Sequence, residues 1–185
     1  MIPEAISLIS FGHIEKGFLE WVARDVEQEF MLPVKTKAEY LDLSDFFDPS
    51  RRQYNGNALL KKIDTSFASE AVTTIGLFNV DLFIPILTYI FGQAYLNGRA
   101  GVVSMFRMSN ERYGLKMDDH ILLDRFRKEI IHELGHTFGL IHCYEPDCVM
   151  HASTYAEDLD QKGHKLCKQC RSTLEQYLHN GNTQP

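Results

Sequence analysis

The chain has 185 residues, of which 44% are hydrophobic and 24% are charged. These values are typical of a globular domain and exclude a disordered, collagen-like or low-complexity chain. Acidic residues outnumber basic residues by 25 to 19, so neither a nucleic acid nor an anionic membrane is an expected partner. At about 150 residues per domain, the length predicts one domain with a sizeable core.

The N-terminal stretch lacks the pattern of an export signal. It reads MIPEAISLISFG, with no early Lys or Arg and with two serines interrupting its apolar run. The longest uncharged stretch, residues 82–98, contains Pro, Gly, Gln and Asn and is too short to span a bilayer. We therefore expect a soluble, cytoplasmic protein.

Strand-like and helix-like stretches alternate along the first two-thirds of the chain. Apolar, β-branched and aromatic residues predict strands at residues 5–11, 32–40, 72–83, 89–95 and 101–108. Apolar residues at helical spacing predict helices at residues 16–30, 55–67 and 170–178. Strands mixed with helices, followed by a loop-rich end, indicate an α/β or α+β architecture.

A long helix is predicted from Asp118 or Asp119, either of which can cap it, to about Phe138. Apolar residues recur at every fourth position of this segment and give the helix a core face: Leu122, Phe126, Ile130, Leu134 and Phe138.

Two of the histidines on this helix belong to the sequence HELGHTFGLIH of residues 132–142. His132 and His136 are four residues apart, so their imidazoles lie on one face and can bind one metal ion. They are offset by two residues from Ile130 and Leu134, which corresponds to roughly 200° of helix rotation. We therefore expect the histidines to face a cleft opposite the core.

The rest of the motif completes a catalytic metal site. Gly139 can end the helix in a left-handed conformation, so that the chain turns back and presents His142 as a third ligand. Three histidines leave one zinc position open for water, as in catalytic sites, and zinc lowers the pKa of that water to about 7. Glu133 is the expected general base. A closed structural zinc site would need a fourth ligand, which the motif does not supply.

All four cysteines lie in the last third of the chain: Cys143, Cys148, Cys167 and Cys170. Two pairs of thiolates are typical of a closed, tetrahedral structural zinc site. Disulfides, an iron–sulfur cluster and redox thiols remain alternatives, because these ligands also suit iron and because Cys-x-x-Cys occurs in redox motifs. Cys143 directly follows His142, so the cysteine site is expected to fix the loop that presents the third histidine.

These motifs resemble those of the metzincin zinc peptidases and, within them, the archaemetzincins. The resemblance rests on the long histidine motif, on Met150 at the position of the Met-turn, and on the four cysteines. Between Met150 and Cys167 lie 16 residues, about one fewer than in the family pattern. Residues 80–108 resemble the family more loosely.

The resemblance implies a metzincin-like zincin fold, in which a twisted mixed sheet and the active-site helix lie above a small, loop-rich C-terminal subdomain. It implies a single catalytic domain of residues 1–185, with an N-terminal subdomain of residues 1–139, a C-terminal subdomain of residues 140–180 and a tail of residues 181–185. It also implies a peptide substrate bound in extended form along an edge strand, for which residues 89–95 are the candidate.

The sequence therefore predicts a zinc metallopeptidase with two zinc ions per chain. His132, His136 and His142 would hold the catalytic ion, and the four cysteines would hold the structural one. The alternative is a zinc-stabilised module that binds extended peptides and hydrolyses them poorly or not at all. A nucleic-acid-binding zinc ribbon is disfavoured, because acidic residues offset Lys162, Lys165, Lys168 and Arg171 near the cysteines.

Overall fold

The computed structural model describes residues 5–68 and 71–181. Its helices are α1 (Lys16–Phe30), α2 (Gly56–Ser66), α3 (Asp119–Thr137), α4 (Ala156–Gln161) and α5 (Lys168–Gly181). Its strands are β1 (Ile6–Phe11), β2 (Val34–Glu39), β3 (Phe47–Asp48), β4 (Gln53–Asn55), β5 (Thr73–Phe78), β6 (Leu82–Phe83), β7 (Gly92–Ala94) and β8 (Ala100–Ser104).

The main sheet is mixed and has the strand order β2-β1-β5-β8-β7. The first four strands of this order are parallel, whereas β7 pairs with β8 in the antiparallel direction and forms one edge. A smaller sheet has the order β3-β4-β6. The predicted combination of a mixed sheet with helices is confirmed.

Helices cover both faces of the main sheet, and the central strands are therefore apolar on both faces. In β1, Ile6 and Leu8 pack with α1 and α3, whereas Ile9 and Phe11 pack with α2. The residues that pack between the sheet and helices α1 and α3 form one apolar cluster. This cluster continues into the C-terminal part of the chain through Val149 and other buried residues. Helix α3 is therefore packed between the sheet and the C-terminal segment.

Several predicted boundaries were wrong. The stretch 72–83 is two strands in different sheets, because Ser104 Oγ accepts a hydrogen bond from Val80 N (3.0 Å) and donates one to Val80 O (2.6 Å). These bonds tie Val80 to the last residue of β8 through a side chain, and the backbone pairing of β5 with β8 ends at Phe78 and Ser104. The strand predicted at 89–95 is paired with β8 only at residues 92–94, and helix α4 was not predicted.

The described residues include no helix long and apolar enough to cross a membrane. The cytoplasmic location stays a prediction. Helix α5 extends three residues beyond its predicted end and finishes at Gly181, the first residue of the predicted tail, while residues 182–185 lie outside the described part of the chain.

Candidate active site

Helix α3 brings His132 and His136 together on one face, as predicted. Asp118 Oδ1 accepts a hydrogen bond from Ile121 N (3.0 Å) and caps the start of the helix. The Nε2 atoms of the two histidines are 3.1 Å apart. Nitrogen ligands of a tetrahedral zinc ion lie about 3.3 Å from each other, so this spacing suits one shared ion.

The chain turns back after α3 and brings His142 to the same place. Gly139 has a φ of +83°, in the left-handed region, and its N–H donates to His136 O (2.9 Å). A Cβ at Gly139 would lie 2.3 Å from Asn97 Oδ1, in the turn after β7. Glycine suits this turn because it adopts a positive φ without strain and has no Cβ that would clash with Asn97. The candidate ligand atoms of the three histidines all lie within 4.8 Å of one another.

Backbone carbonyls orient the histidines on α3. His132 Nδ1 lies 2.8 Å from Val149 O, and His136 Nδ1 lies 2.7 Å from Leu140 O. Because a carbonyl only accepts hydrogen bonds, each Nδ1 carries the proton and each Nε2 keeps a lone pair. Burial lowers the pKa of His132, His136 and His142, which favours the neutral form that binds metals. The three side chains therefore fit a zinc ion.

Glu133 lies beside the three histidines and is only 4% exposed. Strand β7 approaches it closely, since a Cβ at Gly92 would lie 2.8 Å from Glu133 Cγ. Burial, followed by the charge of Glu129 one turn earlier, raises the pKa of Glu133 well above its ordinary value. Its Oε2 atom has no hydrogen-bond partner among the described residues. A carboxylate with a raised pKa is suited to take up a proton.

Met150, at the predicted position of the Met-turn, packs directly against α3. Its side chain is fully buried, and a Cβ at Gly135 would lie 2.3 Å from Met150 Sδ. Gly135 lies inside the HELGH segment, between His132 and His136. The absence of a side chain at Gly135 therefore allows the thioether to contact the helix backbone beneath the histidines.

Replacement of Gly135 by alanine is expected to lower the free energy of unfolding by about 1–3 kcal/mol, because the added methyl group overpacks against Met150. Gly17→Ala in α1 is the matched control. At Gly17 the nearest atom to an added Cβ is Glu15 Oε1 at 3.9 Å, so alanine is expected to preserve or raise stability. Urea unfolding of both variants measures the difference. Equal stability of Gly135→Ala and wild type would contradict the close packing.

The four cysteine thiols form a second cluster, in which all Sγ atoms lie within 4.8 Å of one another. Cys143 Sγ and Cys167 Sγ are 3.8 Å apart, and all four cysteines are free thiols. Thiolates bound to one zinc at about 2.3 Å in a tetrahedron lie about 3.8 Å apart. Burial raises the pKa of Cys148 and of Cys170, so a bound cation is needed to stabilise their thiolates.

The cysteine cluster is joined to the histidine cluster and to the N-terminal half. Cys143 follows His142 directly, and its N–H donates to Met150 O (2.9 Å). On the other side, Glu29 of α1 is buried, and its Oε1 accepts a hydrogen bond from Leu166 N (2.7 Å). Glu29 Oε1 also pairs with Arg171 in α5. The His142 loop is therefore tied to Met150, and the segment that carries Cys167 and Cys170 is tied to α1.

A cleft of about 500 Å³ lies over the histidines and Glu133. Residues 87–94, which end in β7, form its upper rim, and residues 152–155 form its lower wall. Strand β7 pairs with β8 on one side, and its other side is an edge of the described sheet. The candidate edge strand and the candidate metal site thus face the same cleft.

Two buried charged residues next to the site were missed by sequence reasoning. Glu129 is 5% exposed and lines the cleft, and its four-residue spacing from Glu133 does indicate a shared helix face. Lys162 is 3% exposed, and its Nζ donates to His151 O (2.9 Å) and lies 3.5 Å from His132 Nδ1. Nothing in the sequence around Lys162 indicates that it is buried.

The sequence model of peptidase family M54 matches residues 19–176 of the chain. The archaemetzincin of Thermococcus kodakarensis is 36% identical over 176 residues, which cover 91% of this chain and 94% of the relative. These matches extend over nearly the whole chain, well beyond the histidine and cysteine motifs.

Solved structures agree with this assignment. The crystal structure of archaemetzincin from Methanopyrus kandleri matches with a TM-score of 0.84 at 32% identity, covering 96% of each chain. A zinc-dependent peptidase from Methanocorpusculum labreanum matches with a TM-score of 0.82 at 30% identity, covering 91% of this chain and 99% of the other. The predicted resemblance, fold class and enzyme class are thereby confirmed. The chain belongs to peptidase family M54, the archaemetzincins, and is a zinc metallopeptidase.

Proposed function

We propose that the protein hydrolyses peptide bonds at a zinc ion held by His132, His136 and His142, with Glu133 as general base. The observation that carries this proposal is the convergence of three neutral imidazoles beside a buried carboxylate in an open cleft. When bound, zinc supplies Lewis acidity, which lowers the pKa of water and polarises a carbonyl group.

The residues of the chain supply the remaining steps. Glu133 accepts the proton of the attacking water and passes it to the amine of the leaving product. Val149 O and Leu140 O keep the two imidazoles on α3 in the tautomer that leaves Nε2 free. The lack of a side chain at Gly92 lets a substrate on β7 lie close to Glu133.

We also propose that the substrate extends along β7 as an added antiparallel strand. Strand β7 runs beside α3 in the same direction: Gly92 contacts Glu133, and Asn97 N donates to His136 O (3.0 Å). The carboxyl end of an antiparallel peptide then lies toward Tyr89, and its amino end lies toward Asn97.

The second proposed ion is a structural zinc held by Cys143, Cys148, Cys167 and Cys170, whose spacing suits it. We further propose that residues 1–139 and 140–180 are the two parts of one catalytic domain, and that the protein does not bind nucleic acid. Two contacts support the absence of nucleic-acid binding: Lys162 is buried, and Arg171 is paired with Glu29. Fewer positively charged side chains near the cysteines are therefore available to contact phosphates.

Cleavage of a diverse peptide mixture, followed by mass spectrometry, tests the proposed function. Zinc-loaded protein is expected to generate products, and the same protein treated with a chelator is expected to generate none. A zinc-loaded protein that retains peptides but yields no products would instead support the alternative, a zinc-stabilised peptide-binding module.

A further inference from the structure

Two acidic side chains are buried side by side on α3, and the proposed mechanism uses only one of them. Glu129 lies one helical turn before Glu133, so the two side chains share a face of the helix. Glu129 is 5% exposed, Glu133 is 4% exposed, and both line the cleft. Their carboxyl groups are hydrogen-bonded to each other. Glu129 therefore contacts the proposed general base directly.

A buried lysine from the C-terminal segment balances the charge of this pair. A carboxylate only accepts hydrogen bonds, so a bond between two carboxyl groups requires one shared proton and leaves the pair with a single negative charge. Lys162 is 3% exposed, and its positive charge interacts favourably with both Glu129 and Glu133. Its Nζ is fixed by the hydrogen bond that it donates to His151 O (2.9 Å). The three buried groups together are therefore neutral.

Few other polar contacts fix the carboxyl group of Glu133. Its Oε2 atom is buried and has no hydrogen-bond partner among the described residues. On the side of β7, the backbone at Gly92 leaves space for the carboxyl group, since a Cβ there would lie 2.9 Å from Glu133 Oε1. A general base must lie within hydrogen-bond distance of the proton that it removes, and a misplacement of about 1 Å can lower the rate by about 100-fold. The contact with Glu129 therefore bears on catalysis.

The shared proton has a defined place during the reaction. Glu133 has to be ionised in order to accept the proton of the attacking water. At that stage the shared proton is on Glu129, whose carboxyl group donates the hydrogen bond to the Glu133 carboxylate. Burial raises the pKa of Glu129, which favours its protonated form.

We propose that Glu129 is a positioning residue, whose hydrogen bond holds the Glu133 carboxylate in the orientation in which it accepts the proton of the attacking water. This inference rests on the proposed peptidase function and adds a residue to its machinery. Glu129 acts through Glu133, and Lys162 allows the two acids to be buried together. A hydrogen bond to a charged group corresponds to about a 10-fold to 100-fold effect on kcat.

Glu129→Gln and Glu129→Met separate the hydrogen bond from charge and size. Both replacements are neutral and similar in length to glutamate, but only the amide of glutamine can donate to Glu133. We expect Glu129→Gln to keep most of the wild-type kcat, and Glu129→Met to lower kcat by about 10-fold to 100-fold with unchanged KM and zinc content. Glu157→Met, on the exposed first turn of α4, is expected to keep wild-type kcat. Equal kcat values for the two Glu129 variants would overturn the inference.

The effect of Glu129 is also expected to depend on Glu133. In Glu133→Gln no carboxylate remains to be positioned, so adding Glu129→Met to this variant is expected to change the residual kcat little. The same fold loss from Glu129→Met in both backgrounds would show that Glu129 acts independently of Glu133, and would also overturn the inference.

Crystal structures of the zinc-loaded proteins test the positioning without an activity measurement. In the wild type and in Glu129→Gln, the Glu133 carboxyl group is expected in one orientation, within about 3.2 Å of the side chain at position 129. In Glu129→Met, we expect more than one orientation of Glu133, and a single unchanged orientation would overturn the inference. If Glu129→Met does not fold, the wild type decides, because separation of its two carboxyl groups by more than about 3.5 Å would exclude the hydrogen bond. The expected orientations without any peptide hydrolysis would overturn the proposed function but retain the positioning.

Discussion

Replacement of Glu133 by glutamine is expected to lower kcat for peptide hydrolysis by about 100-fold to 10,000-fold, the usual contribution of a general base. Glutamine keeps the size of the side chain but cannot accept the proton of the attacking water. The change is expected to leave zinc binding intact, because His132, His136 and His142 form the candidate ligand set. Activity against a cleaved peptide and zinc content by atomic spectroscopy measure the two effects separately.

Glu157→Gln provides the matched control for the change at Glu133. Glu157 is exposed on the first turn of α4, close to the lower wall of the cleft but outside it. The control removes the same charge and is expected to keep wild-type kcat. Full zinc occupancy together with undiminished activity of Glu133→Gln would show that another group accepts the proton. A loss of zinc from this variant would instead indicate that Glu133 helps to hold the ion.

The histidine site was predictable because its geometry is local. His132, His136 and His142 lie within 11 residues of one another in sequence, and helix periodicity alone places the first two on one face. The turn at Gly139 was also predictable, because a chain that returns after a helix needs a left-handed residue. The structure adds a second reason for glycine there, the close contact with Asn97.

The features that the sequence did not reveal depend on contacts between distant residues. Lys162 is buried beside His132, 30 residues away in sequence, and no local pattern predicts this burial. The break in the stretch 72–83 depends on hydrogen bonds between Ser104 and Val80, which are 24 residues apart. The role of residues 92–94 as a sheet edge likewise depends on the order of the strands. Apolar and β-branched composition indicates strands but does not specify their partners.

Replacement of Cys167 by serine is expected to release the proposed structural zinc and to lower the occupancy of the proposed catalytic site as well. The change removes one of the four thiolates, whereas the backbone N–H of residue 167, which donates to Cys148 Sγ (3.4 Å), is retained. The second effect follows from the chain connection, because Cys143 belongs to the cluster and adjoins His142. Without the cluster, Cys143 keeps the hydrogen bond from its N–H to Met150 O (2.9 Å) and the 3.0 Å contact between its carbonyl oxygen and His151 Nδ1. An ion present at a thousandfold excess over its Kd contributes about 4 kcal/mol of stability, which this variant would lose.

The stoichiometry of zinc and the unfolding free energy distinguish this coupling from a purely local loss. Gln169→Ser changes an exposed residue between Cys167 and Cys170 and is expected to keep both ions and wild-type stability. His136→Ala is expected to lose the catalytic ion and to retain the structural one, because the four thiols form their own cluster on the C-terminal segment. If Cys167→Ser retains one zinc per chain and wild-type peptidase activity, the cysteine cluster does not position His142. A zinc content below one per chain, with activity reduced in proportion, would establish that the structural ion fixes the third histidine of the catalytic site.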